Sequence, residues 1–271
     1  MQTRLEAPAV EPRLISQEHQ RPAVTAAGLG HRFGELEVIE RLDLKVDTGE
    51  VVGLVGPSGC GKSTLLELIA GLLDPARGEL AVGGETDAEA RLARCAYMPQ
   101  RDLLLPWLAA IDNAALAARN RGASVSAARA EAAPLFSRFG LDGFERSKPS
   151  ELSGGMRQRV AFLRTLLAGK PVLLLDEPFA SLDAITRAEM QEWLAQALAA
   201  ERRSVVLVTH DVEEALYLCD RVIVLSARPA IAVTALDSPT ARRHPREDAV
   251  ASQGFVELRA QALRALKEGR R

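Results

Sequence analysis

The chain has 271 residues, 47% hydrophobic and 26% charged, with 34 Lys and Arg against 36 Asp and Glu for a net charge of −2. A chain of this size and composition can bury a core of its own, which excludes a wholly disordered, collagen-like or disulfide-scaffold protein. Near-neutrality also offers no global reason to expect nucleic acid as a partner, since affinity for its backbone comes from clustered Lys and Arg.

Residues 1–22 are rich in Glu, Arg, Gln and Pro, lack periodicity and read as a flexible leader without the apolar segment of a secretory signal. From Val24 to Val55 apolar residues alternate as in strands, through Leu42, Leu44 and Val46, the turn Asp47-Thr48-Gly49 and the run Val51–Val55. A glycine-rich loop then opens into a helix over Ser63–Leu72, with Leu65, Leu66, Leu68, Ile69 and Leu72 at helical spacing. Between Leu103 and Leu167 the pattern is helical and alanine-rich, with breaks expected at Pro106, Gly122, Pro134, Gly140 and Pro149. A strand at Val172–Leu175, a helix from about Ala184 to Ala200, a strand at Ser204–Thr209, a helix from Val212 and a strand at Arg221–Leu225 follow. This alternation predicts a parallel α/β sheet interrupted by a helical insertion. No apolar run approaches the ~18 residues of a membrane-spanning helix. Cys60, Cys95 and Cys219 fit no zinc or disulfide spacing, which points to a reducing compartment. His19, His31 and His244 have no ligand-like spacing and read as surface residues.

Gly56-Pro57-Ser58-Gly59-Cys60-Gly61-Lys62-Ser63, followed by Thr64, is a phosphate-binding loop. Its glycines let successive N–H groups turn toward one phosphate, and the positive end of the following helix adds to them. Lys62 is placed for the β- and γ-phosphates, and the Ser63 hydroxyl for Mg²⁺. Cys60 has no base beside it and sits where backbone rather than side chain meets the phosphate. Val172–Leu175 ends in Asp176-Glu177, at the strand end where open α/β sheets bind ligand. Asp176 is placed to hold Mg²⁺ and Glu177 to polarise an attacking water. Ser153, Gly154 and Gly155 precede an apolar helix and form a hydroxyl-capped start that favours an anion.

Leu152-Ser153-Gly154-Gly155-Met156-Arg157-Gln158-Arg159 resembles the signature sequence of ATP-binding-cassette (ABC) ATPases. The family's other motifs stand in order: Gln100 resembles the Q-loop glutamine, Ser181-Leu182-Asp183 the D-loop, His210 the switch histidine and Phe33 the adenine-stacking aromatic. Met156 stands where many relatives carry Gln, and Phe33 where Tyr is common. The resemblance implies a P-loop NTPase fold of the α/β class, with a RecA-like, mostly parallel sheet core and an antiparallel β subdomain. It places the nucleotide-binding domain at 23–227, an inserted helical signature subdomain at about 101–167 and a tail at 228–271. It further implies ATP and Mg²⁺ as ligands, with Ser63, Gln100 and Asp176 on the metal and Lys62, Glu177 and His210 catalytic. Two copies would sandwich ATP head to tail, each nucleotide meeting Ser153, Gly154, Gly155, Met156 and Asp183 of the other copy.

The interval from Lys62 to Ser153 leaves room for a compact helical subdomain but not for the long coiled coil of DNA-repair relatives. One cassette and no spanning helix fit a separate subunit that docks on a permease, as a peripheral protein at the cytoplasmic face of the inner membrane. A solute-binding protein would take part indirectly, and no nucleic acid. Gln100 to Trp107, continued to Asn113, resembles the importer subgroup for nitrate, sulfonate and taurine; relatives handling thiamine-pyrimidine precursors or riboflavin share much of the pattern. Rival readings are a soluble ABC ATPase acting on nucleic acid or the ribosome, and the ATPase of an exporter or lipid-trafficking system. Trp107 with its flanking leucines either forms a groove for a permease helix or packs inside the helical subdomain. From Phe255 to Lys267, Phe255, Leu258, Ala262, Leu263 and Leu266 make an apolar stripe opposite Arg259, Arg264 and Lys267, expected to pack on the cassette, with a membrane surface as the other reading.

Overall fold

The computed structural model of the protein describes residues 21–270 apart from Ser181, Glu201, Arg202, Pro239, Thr240, Ala241 and Arg243. The leader as far as residue 20, His19 within it, and Ser181 of the D-loop motif lie outside the described residues.

β1 (Val24–Phe33) and β2 (Leu36–Val46) form a hairpin, and β4 (Arg77–Val82) pairs with the other edge of β1; all three are antiparallel. In β2 the buried Leu42, Leu44 and Val46 alternate with exposed Asp43 and Lys45, the pattern of a strand with one face on the core. The second sheet has the order β5 (Cys95–Met98), β6 (Val172–Asp176), β7 (Ser204–Thr209), β3 (Val51–Val55), β8 (Arg221–Leu225) and β9 (Ala232–Asp237). It is parallel except for β9, which pairs antiparallel with β8.

The central strands are buried from end to end, which explains their unbroken apolar sequence. Val51, Val55, Leu173, Leu175, Val205 and Leu207 face one core, and Val52, Leu54, Val172, Leu174, Val206 and Val208 the other. Each such side chain contributes roughly 1.5–3 kcal/mol of burial free energy, which favours layers packed on both faces of the sheet. α1 (Lys62–Ala70) and the three-stranded sheet cover one face, and α2 (Ala88–Arg94) lies beside them. The other face carries α3 (Ala110–Ala114), α4 (Leu116–Asn120), α5 (Val125–Arg138), α6 (Gly154–Leu166), α7 (Ala184–Ala200) and α8 (Val212–Leu218). A Cβ at Gly53 would lie 2.9 Å from the Cys219 sulfur and 3.3 Å from the Ala215 Cβ, so α8 rests on β3 only because glycine stands there.

Two expectations need correction. Pro134 does not break the helical region: it sits inside α5, whose buried Ala128, Ala132 and Phe136 hold the turn against the core despite the missing N–H. Leu263 does not join the tail's apolar stripe but is 45% exposed, because it falls at the edge of the arc that buries Phe255, Ala262 and Ala265. The tail forms α9 (Arg246–Ala251) and α10 (Gln253–Glu268), and α10 packs on α8, β8 and β9, with Arg259 paired to Glu213. Phe139, Phe162, Phe179 and Trp193 form one aromatic group that ties the helical insertion to α7, with Phe139 and Trp193 centroids 4.3 Å apart. Among the described residues no helix is long and apolar enough to cross a membrane.

Candidate active site

β3 runs straight into the loop Gly56–Lys62, and α1 begins at Lys62. Gly61 caps α1 with φ 116°, a conformation that side chains with a Cβ avoid, and a Cβ there would also strike the Val38 side chain at 2.8 Å. No side chain caps α1, so its first N–H groups remain as donors facing the loop. The Lys62 ammonium is buried beneath the loop and donates to the carbonyls of Gly56 (2.8 Å) and Pro57 (3.0 Å). Cys60 is buried, and burial pushes its thiol up despite the neighbouring Lys62, so it is a packing residue rather than a nucleophile. Uncapped N–H groups, a lysine and glycine-built curvature make a donor set that fits a nucleotide's phosphates.

Asp176 ends β6 with 2% of its surface exposed, and the Ser63 hydroxyl lies beside its carboxylate. Burial raises the Asp176 carboxyl, against the opposing pull of Ser63 and Lys62. A buried carboxylate beside a hydroxyl is an oxygen pair that fits Mg²⁺. Glu177 follows with φ 48°, an uncommon conformation for a residue with a side chain, and its N–H donates to the Val208 carbonyl at 2.8 Å. Gln100 Nε2 donates to Glu177 Oε2 at 3.2 Å, and His210 Nδ1 stands 3.4 Å from the same oxygen. A cleft of about 10 Å³, the scale of one water, is lined by Glu177, Thr209, His210 and Glu214 among others. The strained turn at Glu177 therefore brings together three side chains distant in sequence around one carboxylate oxygen.

Beyond Gln100 the chain is fastened to α6. Arg157 pairs with Asp102 at 3.0 Å, and Arg164 donates to the carbonyls of Asp102 (2.7 Å) and Leu103 (2.8 Å), where Leu103 has φ 44°. Ser153 caps α6 by accepting from the Met156 N–H at 3.2 Å. Ser153 and Gly154 are exposed, Gly155 and Met156 half-buried, and among the described residues no hydrogen bond joins them to Lys62, Ser63 or Glu177. No sequence motif marks the arginine ties to Asp102 and Leu103; their one signal is basic residues at i and i+7 of α6, Arg157 within the signature and Arg164 beyond it.

A family model described as "ABC transporter" matches residues 39–180, just over half of the chain. The chain belongs to the ABC transporter family. The aliphatic sulfonates import ATP-binding protein SsuB 1 of Rhodococcus jostii is 49% identical over 199 residues, 73% of this chain and 77% of the relative. The formylaminopyrimidine import ATP-binding protein ThiZ of Halalkalibacterium halodurans is 44% identical over 210 residues, 78% of this chain and 82% of the relative. The solved ATP-binding cassette MJ0796, in a dimeric post-hydrolysis state bound to ADP and Pi, matches with a TM-score of 0.71 at 28% identity, covering 79% of this chain and 98% of that one. This ABC protein is accordingly an ATPase with the P-loop fold, its parallel core sheet accompanied by an antiparallel one.

The remaining motif residues of the ABC cassette are spread around this centre. Phe33 ends β1, is 48% exposed and stacks edge-on against His31, centroids 4.7 Å apart. His31 is half-buried rather than a surface residue, its Nδ1 3.1 Å from the Asp74 carbonyl, whereas His244 is exposed as expected. Asp183 is exposed and accepts from the Thr186 N–H at 3.0 Å; the Thr186 side chain first, and this N–H with it, hold its carboxyl low. Glu214, four residues past His210, is a buried acid that the sequence motifs leave unmarked; its one signal is its place on the same helical face as Leu218. Burial lifts it from the ordinary 4.5 to about 7, with the Thr209 and Gln191 hydrogen bonds and Arg187 opposing and Asp211 assisting. The folded protein thus holds a proton on Glu214 between pH 4.5 and 7 that the unfolded chain releases. That contribution is full below 4.5 and is lost as pH rises through 7. The thermal midpoint of Glu214→Gln is therefore expected to gain on wild type between pH 5 and pH 8, by the equivalent of roughly 2–3 kcal/mol; parallel pH curves would refute the buried acid.

Proposed function

We propose that two copies of this chain bind ATP between them and that its hydrolysis drives uptake of a small solute through a separate permease at the cytoplasmic face of the membrane. The observation that carries the hydrolytic part is Glu177 Oε2, held by Gln100 at 3.2 Å and by His210 at 3.4 Å, next to the Ser63–Asp176 pair. Ser63, Asp176 and Gln100 would hold Mg²⁺, which would supply positive charge against the phosphoryl oxygens. Glu177 accepts the proton of the attacking water while Gln100 and His210 keep the carboxylate aimed. Lys62 neutralises charge on the phosphates, and the uncapped N–H groups of α1 orient them. Ser153, Gly154, Gly155, Met156 and Asp183 of the second copy close the site from the other side, and Phe33 offers its exposed ring to adenine. The dimeric form of MJ0796 supports two copies.

Relatives named as import ATP-binding proteins favour import over export or work on nucleic acid, and their named cargoes make an aliphatic sulfonate or a similar anion the first choice and a pyrimidine precursor the second. A solute-binding protein would deliver it. Trp107 supports the permease contact: it is 66% exposed, not packed within the helical subdomain, and it borders a groove of about 620 Å³ with Leu108, Leu116 and Val125. Rigid exposed aromatics beside apolar walls are what interfaces enrich. Trp107→Ala is expected to leave ATP hydrolysis by the isolated chain within twofold and to abolish its co-purification with the permease. Retained co-purification, or an ATPase loss in the isolated chain, would place Trp107 elsewhere. Deleting the gene tests the cargo: lost sulfonate uptake is expected, and lost uptake of an aminopyrimidine alone would move the assignment to the second choice.

A further inference from the structure

His210 itself is exposed over 59% of its side chain, so its placement depends on its neighbours in the chain. Both are pinned. Thr209 Oγ1 accepts from the Asp211 N–H at 3.0 Å and lines one small cleft with His210 and Glu214, while Asp211 Oδ1 accepts from the N–H groups of Glu213 (2.9 Å) and Glu214 (3.2 Å). Glu214 is in turn held by Gln191, whose Nε2 donates to Glu214 Oε2 at 3.0 Å; Gln191 is fully buried on α7 and Glu214 is 4% exposed.

Which way the Gln191 amide faces is decided from outside the sheet core. Arg246, the first residue of α9, donates through Nε to Gln191 Oε1 at 2.9 Å, and its backbone N–H donates to Glu192 at 3.1 Å. A guanidinium is a donor only, so it compels the amide oxygen toward itself and leaves the NH₂ for Glu214. The other charges near Glu214 are Asp211 on its own helix and Arg187 on α7; Glu213 is turned away to Arg259 of α10. No other role in the mechanism accounts for a buried acid here, and buried polar chains of this kind act as a unit because an unpaired member is costly.

We propose that Arg246, Gln191 and Glu214 form a relay that positions His210 for hydrolysis, so that the segment following the cassette helps to set the turnover rate. This rests on the reading of His210 as a group at the phosphoryl site. Glu214, Gln191 and Arg246 are positioning residues; none of them touches the reacting atoms.

The test uses the full chain, with steady-state ATP hydrolysis and ATP binding measured separately. Arg246→Ala and Gln191→Leu are each expected to lower kcat at least fivefold while KM and ATP affinity stay within twofold, and Arg246→Lys, which restores a donor to Gln191 Oε1, to recover at least half of the loss. In the His210→Ala background, Arg246→Ala is expected to cause no further loss, because what it positions is gone. If His210→Ala hydrolyses ATP as wild type does, the reading of His210 fails and the relay has nothing to position. If His210→Ala is inactive while both relay variants keep wild-type kcat, the relay alone is overturned. An equal loss from Arg246→Ala with and without His210 would likewise overturn it, since a general weakening of the fold acts in both backgrounds.

Discussion

Glu177→Gln is expected to lower ATP hydrolysis at least a thousandfold while ATP affinity stays within about threefold. A positioned general base contributes typically 10²–10⁴-fold, and a thousandfold loss corresponds to about 4 kcal/mol of barrier. The substitution isolates that chemistry because little else changes. Glutamine has the shape of glutamate and can still accept from Gln100 through its amide oxygen, so the 3.2 Å contact and the turn at φ 48° persist. What is lost is a site for the water's proton. With binding intact and turnover blocked, ATP-bound dimers should accumulate, visible as a doubling of mass by light scattering when ATP is added and absent with ADP. Turnover within tenfold of wild type would return the base role to His210, the other titratable group at Glu177 Oε2.

The parts of this machine that were legible in sequence are those whose burial is dictated locally. β3 coincides with its apolar run, and β7 and β8 add only Ser204, Thr209 and Arg221 at their ends, because strands covered on both faces cannot carry a polar residue in their interior without a partner. The loop at Gly56 to Ser63 and the acids at Asp176-Glu177 are readable because a phosphate needs N–H groups and a cation in close order. Strand β9 is not readable: Ala232–Asp237 is half-exposed edge with no apolar alternation, and only pairing with β8 makes it a strand. The short β5 and α2 ahead of Gln100 escape because four and seven residues are too few to show a period. Trp107 and Trp193 show the limit at the level of one residue type. Trp107 has the more apolar neighbours in sequence, Leu103–Leu105 before it and Leu108 after, yet it stands in solvent while Trp193, preceded by Gln191 and Glu192, packs on Phe139 and Phe162. The relay from Arg246 to Glu214 is invisible to any local pattern, since its members come from three helices and their polarity in a buried place makes sense only once they are adjacent.

Lys62→Met should weaken ATP binding by at least a hundredfold and bring phosphate release to background. Methionine keeps the packing of the lysine stem beneath the loop but removes a positive charge and three donors. Two effects follow, and they separate experimentally. The Gly56 and Pro57 carbonyls lose the ammonium that joins them, at about 1–3 kcal/mol for each one left unpaired. A domain of this size shifts its midpoint by about 2–4 °C per kcal/mol, so a folded variant with a midpoint lowered by several degrees is expected. The loss at the nucleotide is larger in consequence. A charge-assisted contact to phosphate is worth about 1.5–3 kcal/mol, and a hundredfold in affinity is about 2.7 kcal/mol, so one such contact accounts for the whole change in binding. Catalysis falls further still, because negative charge on the phosphoryl oxygens must be met in the transition state by groups already in place, and Asp176 and Glu177 are acids that cannot meet it. If Lys62→Met binds ATP within threefold of wild type yet melts several degrees lower, the ammonium is a brace for the turn between Gly56 and Pro57 and the phosphates are held by the N–H groups of the loop and α1 alone.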